Sequence, residues 1–545
     1  MSRLLASRLA ASLLLILIGA GLNLPLLGKS GLWDMDEGLN AEAARQMAAT
    51  GDWVVPTFNG ELRSAKPVLL YWLQAAAYRA FGVSEFAARL PSALAGIVAL
   101  LLINDLGRRM FGPATGFLAA LVAASTILVC ALSHAATTDA ILLACTVLTF
   151  RTAWRGLAAP GDRWLVPAGA AAGLAVLAKG PVGVVLPGAV ILLYLLAERQ
   201  VRRLWTPWLG AGVLTLLLVA VPWYAAVGWR TDGEFLRMFF LGENVERFLE
   251  PKERHGGPVV YHPLALVVGF APWSAFLLPT VWFAARGVRA SNPERAAYRF
   301  LACWAGGYLL FFSLAATKLP NYLLPAYPPL AVLTADLLDR WRRGTIRLPG
   351  WVLVYSLGCL AFVGVVVGAG LAVAGGLLGP RVMHGHPLGG LAGWAWLGLV
   401  PVAGAAAGAW CLRRRARTGL VAGVSAASVL LVGALAAVGG PAVDRDKAPR
   451  ALVATAARDA IGTDPRVGGY RYFQPSLVYY ARRPVARLTT EAEALDFLAR
   501  PGPAYLFLTV ADWEKLAPRC PPGCREVGRH WDLYKACEVA VVANG

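Results

Sequence analysis

Charge is scarce in this chain. Only 15% of its 545 residues are Asp, Glu, Lys or Arg, whereas a soluble domain carries about a quarter. With 57% hydrophobic residues beside so few charges, a water-soluble globular protein is excluded and a membrane protein is what remains. Acidic residues are scarcer than basic ones, 32 against 51, and the resulting net charge of +19 would suit a nucleic-acid binder if the basic residues formed one surface. They are dispersed among separate loops, so no nucleic-acid partner is expected. Cysteine is thin as well. Of the eight, Cys130, Cys145, Cys303, Cys359 and Cys411 are lone residues in apolar stretches and read as small buried hydrophobes. No segment repeats at a fixed period and no inverted halves are visible, which speaks against a solenoid and against a repeat-built transporter.

What the chain has instead is a succession of apolar runs. Most are roughly 18 to 25 residues, long enough for a helix across a hydrocarbon core of about 30 Å. They fall at 8–25, 86–104, 114–132, 137–153, 164–178, 181–197, 207–227, 263–285, 298–316, 321–338, 351–376, 391–411 and 418–437, which predicts about thirteen transmembrane helices. The first run follows Arg3 and Arg8 as the core of a signal peptide would. No small-residue cleavage site succeeds it and the chain keeps returning to the membrane, so it reads as a retained span. Arginines gather at 108–109, 151–163, 199–203, 286–299, 340–347 and 413–417, every cluster in an alternate loop. Because basic loops stay cytoplasmic, this alternation predicts an N-terminus inside and, after an odd number of spans, a C-terminal tail outside.

The expected architecture is therefore an α-helical polytopic membrane domain over 1–441 and a small soluble α/β domain over 442–545. In the tail, "RVGGYRYF", "SLVYYARRPV" and "AYLFLTV" are strand-like, whereas "KAPRALVATAARDAI" and "TEAEALDFLAR" have helical spacing. Cys520 and Cys524 in "CPPGC" lie in this external tail, where a disulfide is expected. Cys537 and His530 leave a zinc alternative open. Two long external loops are expected, 26–85 and 229–262. The first contains two amphipathic stretches suited to the membrane surface.

This topology gathers Asp34, Asp36, Glu37, Lys66, Asp139, Lys179, Arg247, His255 and Lys318 on the external side near membrane level. Ionisable groups there are costly unless paired or facing water, so they mark a site. A carboxylate can take a proton from an acceptor while fixed cations hold a phosphate before and after its bond breaks. Plainer readings stand beside this one: Asp139 can cap the span it opens, and Lys179 can snorkel from the end of its span.

"DE" before an amphipathic helix, "GDWVVPTFNG", "KPVLLYWLQ", "FAARLPSALAG", "TTDAIL", "LAKGPVG", "ENVERF…RHGGPVVYH", "GFAPWSAFLLP" and "KLPNYLLPAYPPLA" follow one another up to about Ala331. In this order they resemble the polyprenyl-phosphosugar-dependent glycosyltransferases of the GT-C fold, above all the bacterial 4-amino-4-deoxy-L-arabinose (lipid A) transferase branch, relatives of protein O-mannosyltransferases. The resemblance implies an inverting transfer of sugar from a polyprenyl phosphate to an external lipid, glycan or protein acceptor at the bacterial inner membrane. It implies Asp36 as the catalytic carboxylate, Glu37 as its neighbour and Asp139 as an assisting aspartate. Lys66, Arg63, Arg247, Lys318 and Tyr322 would lie near the donor phosphate. The chain also departs from that family. Leu39 and Asn40 stand where an Arg-Tyr pair is usual, and "LRSAKP" stands for "RYFEKP". Ala65 thus removes a carboxylate that could ligate a metal, and no metal site is assigned, although the external carboxylates leave a divalent ion open. The alternatives are a lipid or polysaccharide transporter and an O-antigen ligase-like enzyme.

Overall fold

In a computed structural model, described over residues 7–158, 162–251, 255–291, 293–377, 379, 385–460 and 464–544, each expected apolar run is helical. Arg3 and Arg254, part of the readings above, lie outside these residues. Among the described residues seven helices are long and apolar enough to cross a membrane, or nine when each of two sharply bent pairs counts as one span, against the thirteen or so expected. The chain is a multi-pass membrane protein. The bends are 69° between Pro113–Ala124 and Ile127–Ser133, and 112° between Tyr261–Gly269 and Trp273–Arg289. A buried aromatic stack of Phe150, Phe300, Trp304 and Tyr308 ties the middle of the bundle together.

Helix α1 (Arg8–Asn23) enters the bundle, and the 26–85 segment follows with two surface helices, α2 (Asp36–Thr50) and α3 (Leu69–Phe81). The alanine-rich α2 carries Asp36 and Glu37 in its first turn, where acids favour the helix dipole, and it stops at Gly51 in the left-handed region. Between α2 and α3 the chain makes a hairpin of β1 (Thr57–Phe58) and β2 (Glu61–Leu62). Its turn is Asn59-Gly60, with φ of 55° and 84°, the pair a tight hairpin turn demands.

The next helix, α4 (Glu85–Phe111), measures the membrane. Arg89 at its start meets α2, while Arg108 and Arg109 stand at its end, about 28 Å away at 1.5 Å per residue. At that far end the arginine clusters find partners. Arg109 and Arg151 share Asp105 at 2.6 and 2.7 Å, Arg299 meets Glu198 at 3.0 Å, and Arg340 meets Glu294 at 2.6 Å. The basic loops and the 26–85 segment therefore occupy opposite ends of the bundle. Helices α5 (Asp139–Ala158), α6 (Leu165–Lys179) and α7 (Arg295–Leu314) run between them.

The last membrane helix, α8 (Arg417–Asp444), continues three residues beyond the expected boundary at 441 and leads into α9 (Ala448–Asp459). A five-stranded sheet follows in the order β4-β3-β5-β7-β6. Its parallel strands are β3 (Arg466–Tyr470), β4 (Val485–Leu488) and β5 (Ala504–Thr509), and its antiparallel edge is β6 (Arg525–Asp532) and β7 (Cys537–Ala543). The strand expected for "SLVYYARRPV" is corrected here: Pro475–Ala481 is helix α10, and only Val485 onward is strand. Proline at its first turn and a short unbroken apolar run fit a buried helix as well as a strand. The expected disulfide is also corrected. All eight cysteines are free thiols, and burial pushes the Cys520 thiol up to about 12. The sheet itself closes the tail, since β6 starts at Arg525, directly after the "CPPGC" turn.

This α/β unit sits on the same end as the 26–85 segment. Phe58 from the β1–β2 hairpin is buried in its core against Phe473, and the Asn59 amide exchanges both hydrogen bonds with the Val485 backbone at 3.0 and 2.8 Å.

Candidate functional site

The run "WDMDE" turns three carboxylates in three directions. Glu37 is buried. Its carboxylate accepts from both arms of Arg89 at 2.9 and 2.7 Å, from the Trp33 N–H at 2.8 Å and from the Ala136 N–H at 2.6 Å. Burial opposes its charge, yet Arg89 and these N–H donors hold its carboxyl below the usual range. Asp34 turns the other way, to the α/β unit, where its carboxylate accepts from the backbone and hydroxyl of Ser476. The Asp36 side chain is exposed and takes part in no hydrogen bond or ion pair among the described residues.

Opposite Asp36, cations arrive from separate parts of the chain. Lys66, in the loop before α3, has no hydrogen bond or ion pair among the described residues. Burial lowers its pKa from the ordinary lysine value, Lys179, Arg247 and Arg63 push it the same way, and Asp36 opposes them. Asp36, Arg63, Lys179 and Arg247 thus stand close enough to Lys66 for their charges to act on it. Lys179 ends α6 and is paired with Asp139, the first residue of α5. Asp139 also accepts from the Asn321 amide at 3.2 Å. The Lys179 ammonium lies 5.2 Å from the centre of the Tyr322 ring, and the Tyr322 hydroxyl accepts from Arg247 at 3.5 Å. Arg247 meets Glu243 at 3.0 Å, within the wide-turned π-helix Met238–Glu246 that precedes it.

Arg63 is held by neutral groups, donating to the Tyr71 hydroxyl at 3.2 Å and the Asn40 side chain at 3.3 Å. Asn40 in turn donates to the Ala136 carbonyl at 3.1 Å. Holding a guanidinium with uncharged acceptors leaves its positive charge available to an anion.

Of the residues expected from the sequence, Asp139 and Tyr322 are linked through Lys179, Arg247 reaches Tyr322, and Asp36, Arg63, Arg247 and Lys179 lie within electrostatic reach of Lys66. Lys318 is placed otherwise. It is buried, its ammonium donates to the Ser313 carbonyl at 2.6 Å at the end of α7, and its N–H is taken by the His255 carbonyl at 2.7 Å. Glu37 and Asp34 are likewise taken up by partners of their own, Arg89 and Ser476. Sequence reading did not single out Asn321, although it lies inside the quoted "KLPNYLLP", nor Asn40 and Tyr71 as the seat of Arg63. Arg89, in "FAARLPSALAG", was hidden because its charge is spent on a partner 52 residues away. Among the described residues no group of three His, Cys, Asp or Glu side chains is placed to hold a metal.

The Asp34 carboxyl has a consequence for stability. Burial raises its pKa to about 7, and Asp532 adds to the rise, against Lys447 and the Ser476 hydrogen bonds. The folded state thus prefers the protonated acid, and stability falls as pH rises from the unfolded value near 4 through about 7. The melting temperature of Asp34→Asn should lose that decline between pH 5 and pH 8 while the parent protein keeps it, as thermal unfolding in detergent would read.

Comparison with known proteins adds three findings. The profile of the family described as dolichyl-phosphate-mannose-protein mannosyltransferase matches residues 65–225. Undecaprenyl phosphate-α-4-amino-4-deoxy-L-arabinose arabinosyl transferases are similar over most of the chain. That of Edwardsiella ictaluri is 31% identical over 67% of this chain and 64% of its own length, and that of Yersinia pestis strain Pestoides F is 31% identical over 68% of each. The chain thus spans just under two thirds of the Edwardsiella relative. The crystal structure of ArnT from Cupriavidus metallidurans bound to undecaprenyl phosphate aligns with a TM-score of 0.80, 26% identity and 98% coverage of both chains.

Proposed function

From the premise that the chain belongs to the aminoarabinose transferase family of GT-C glycosyltransferases, we propose that it transfers a sugar from a polyprenyl phosphate to an acceptor outside the cytoplasm. The observation that carries this reading is the cluster described above, where the Asp36 carboxylate, without a partner among the described residues, lies near cations supplied by three distant stretches of chain. Asp36 takes the proton of the acceptor as its oxygen attacks the anomeric carbon from the face opposite the leaving phosphate. The carbon–oxygen bond to phosphate then breaks, and the phosphate gains charge. Lys66, Arg247 and Arg63 neutralise that charge, with Tyr322 giving a hydrogen bond. Asp139 holds Lys179 beside them. Glu37 and Lys318 act through the frame and touch no substrate.

The acceptor is a lipid such as lipid A or another envelope glycan, the membrane is the bacterial inner membrane, and the site opens on its outer side. The arginine clusters at the opposite end support that orientation. Membrane-impermeant labelling of Met35→Cys, an exposed position beside Asp36, should succeed from outside intact spheroplasts. Labelling only after permeabilisation would reverse the orientation.

The direct test is purified protein with a radiolabelled polyprenyl-phosphosugar and lipid A. Label should move to the acceptor, whereas label that only crosses reconstituted vesicles would make the chain a transporter. Lys66→Ala should weaken donor binding about 10- to 100-fold, the scale of one charge-assisted hydrogen bond of about 1.5–3 kcal/mol. Because the Lys66 pKa is lowered, donor affinity of the parent should fall at a lower pH than an ordinary lysine would allow, and Lys66→Arg should move that fall upward. Unchanged donor affinity in Lys66→Ala would remove it from the phosphate site.

A further inference from the structure

Besides Arg89 and Glu37, the far end of the chain holds the segment just before Asp36. The Gly31 N–H donates to Asp444 at 2.6 Å and its carbonyl accepts from Lys447 at 2.7 Å. The Leu32 N–H donates to the Tyr480 hydroxyl at 2.8 Å, and the Asp34 N–H donates to the Tyr534 hydroxyl at 3.0 Å. The Asp34 carboxylate accepts from the Ser476 N–H at 2.7 Å and from its hydroxyl. Asp36, two residues on, has no side-chain bond of its own among the described residues. Where its carboxylate points is therefore decided by the backbone on which it stands.

Gly38 gives a second, independent sign. It lies in the first turn of α2, and a Cβ there would stand 2.6 Å from an Asp34 carboxylate oxygen and 2.6 Å from the Ser476 nitrogen. The catalytic helix and the α/β unit approach so closely that only glycine fits between them.

We infer that Asp34 and Ser476 are positioning residues, a clamp by which the C-terminal α/β unit aims Asp36 at the acceptor. The proposal rests on the reading of Asp36 as the proton acceptor, and it gives the α/β unit a part in the reaction without touching substrate. The clamp acts on the step that uses Asp36 and leaves the donor site to Lys66 and Arg247, which hang on other elements. The titratable groups facing Asp34 are Asp532, Lys447, Tyr472 and Tyr534, all from the α/β side.

The test uses the full chain in detergent or nanodiscs, with a polyprenyl-phosphosugar and lipid A as substrates. Ser476→Ala, Asp34→Ala and Gly38→Ala should each lower kcat about tenfold or more while donor KM stays within about twofold. Asp34→Asn should restore kcat, because its amide can accept from the Ser476 N–H and donate to the Ser476 hydroxyl. A merely structural contact would lower the melting temperature and change KM and kcat together, and Asp34→Asn would bring no selective recovery. Parental kcat in Ser476→Ala and Asp34→Ala overturns the clamp, provided that Asp36→Asn is inactive. An active Asp36→Asn instead overturns the catalytic reading beneath it. If the alanine variants do not fold, the isosteric Asp34→Asn decides alone: a kcat that falls with unchanged KM makes the carboxylate charge, and not the clamp, what matters.

Discussion

Asp36→Asn is expected to lower transfer at least about a hundredfold, up to about ten-thousandfold, while leaving donor binding and the melting temperature at parental values. The range is what a positioned general base contributes. Three features lead to it. Asparagine matches aspartate in shape but cannot take a proton. The Asp36 side chain is exposed and makes no bond among the described residues, so no packing is lost. The phosphate-holding cations belong to other elements and stay in place, with less attraction on Lys66 from its former neighbour. Single-turnover transfer, donor binding and thermal unfolding on one preparation check the three parts together. Full activity in Asp36→Asn would remove the mechanism. A loss of activity accompanied by unfolding would assign Asp36 to the frame.

The largest effect on stability is expected next door. Removing one partner of the Glu37–Arg89 pair, as in Arg89→Ala, should cost about 3–5 kcal/mol, because a buried charge is left without its counter-charge. Both side chains are only 3% exposed. Arg89 also donates to the carbonyls of Leu27, Ser30 and Gly31 at 2.9, 2.7 and 2.9 Å, so its loss takes a donor from three carbonyls, of which Gly31 keeps Lys447, as well as the counter-charge from a carboxylate. Arg89→Ala should therefore melt well below the parent or fail to accumulate in the membrane. Glu37→Gln should be milder, since an amide oxygen can still accept from Arg89 or from Trp33. A melting temperature within a degree of the parent for Arg89→Ala would show that this pair is not what holds α2 to the bundle. Asp36→Asn is the built-in control, one residue along and with no such partner.

These two neighbours show how much of the site was legible. The apolar runs, the arginine alternation and the position of Asp36, Lys66, Asp139 and Arg247 could be read because hydropathy and charge are properties of short stretches. What could not be read is which of three adjacent carboxylates is free. That depends on partners 52 residues from Glu37 and 442 from Asp34, and no local pattern records them. Lys318 has the same lesson, for a lysine beside a site looks like a ligand until its ammonium is seen on the Ser313 carbonyl. In the α/β unit, "AYLFLTV" was plain as a strand, whereas "SLVYYA" was ambiguous because six apolar-rich residues satisfy either period. Asn59-Gly60, by contrast, is a strong local hairpin signal, and the hairpin it closes lies between two helices.

The hydrogen bond from the Asp34 backbone to Tyr534 joins residues 500 apart in a chain of 545. During synthesis the first loop leaves the ribosome early, but the groups that fix it are among the last to be made, and in the proposed orientation they must cross the membrane before they can bind. Every helix of the bundle can be in place while the polypeptide is still inert. If the proposed transfer and clamp hold, a message truncated anywhere before the final sheet should yield an inserted protein with no turnover, and a cell that makes this chain would be spared a half-finished, active enzyme.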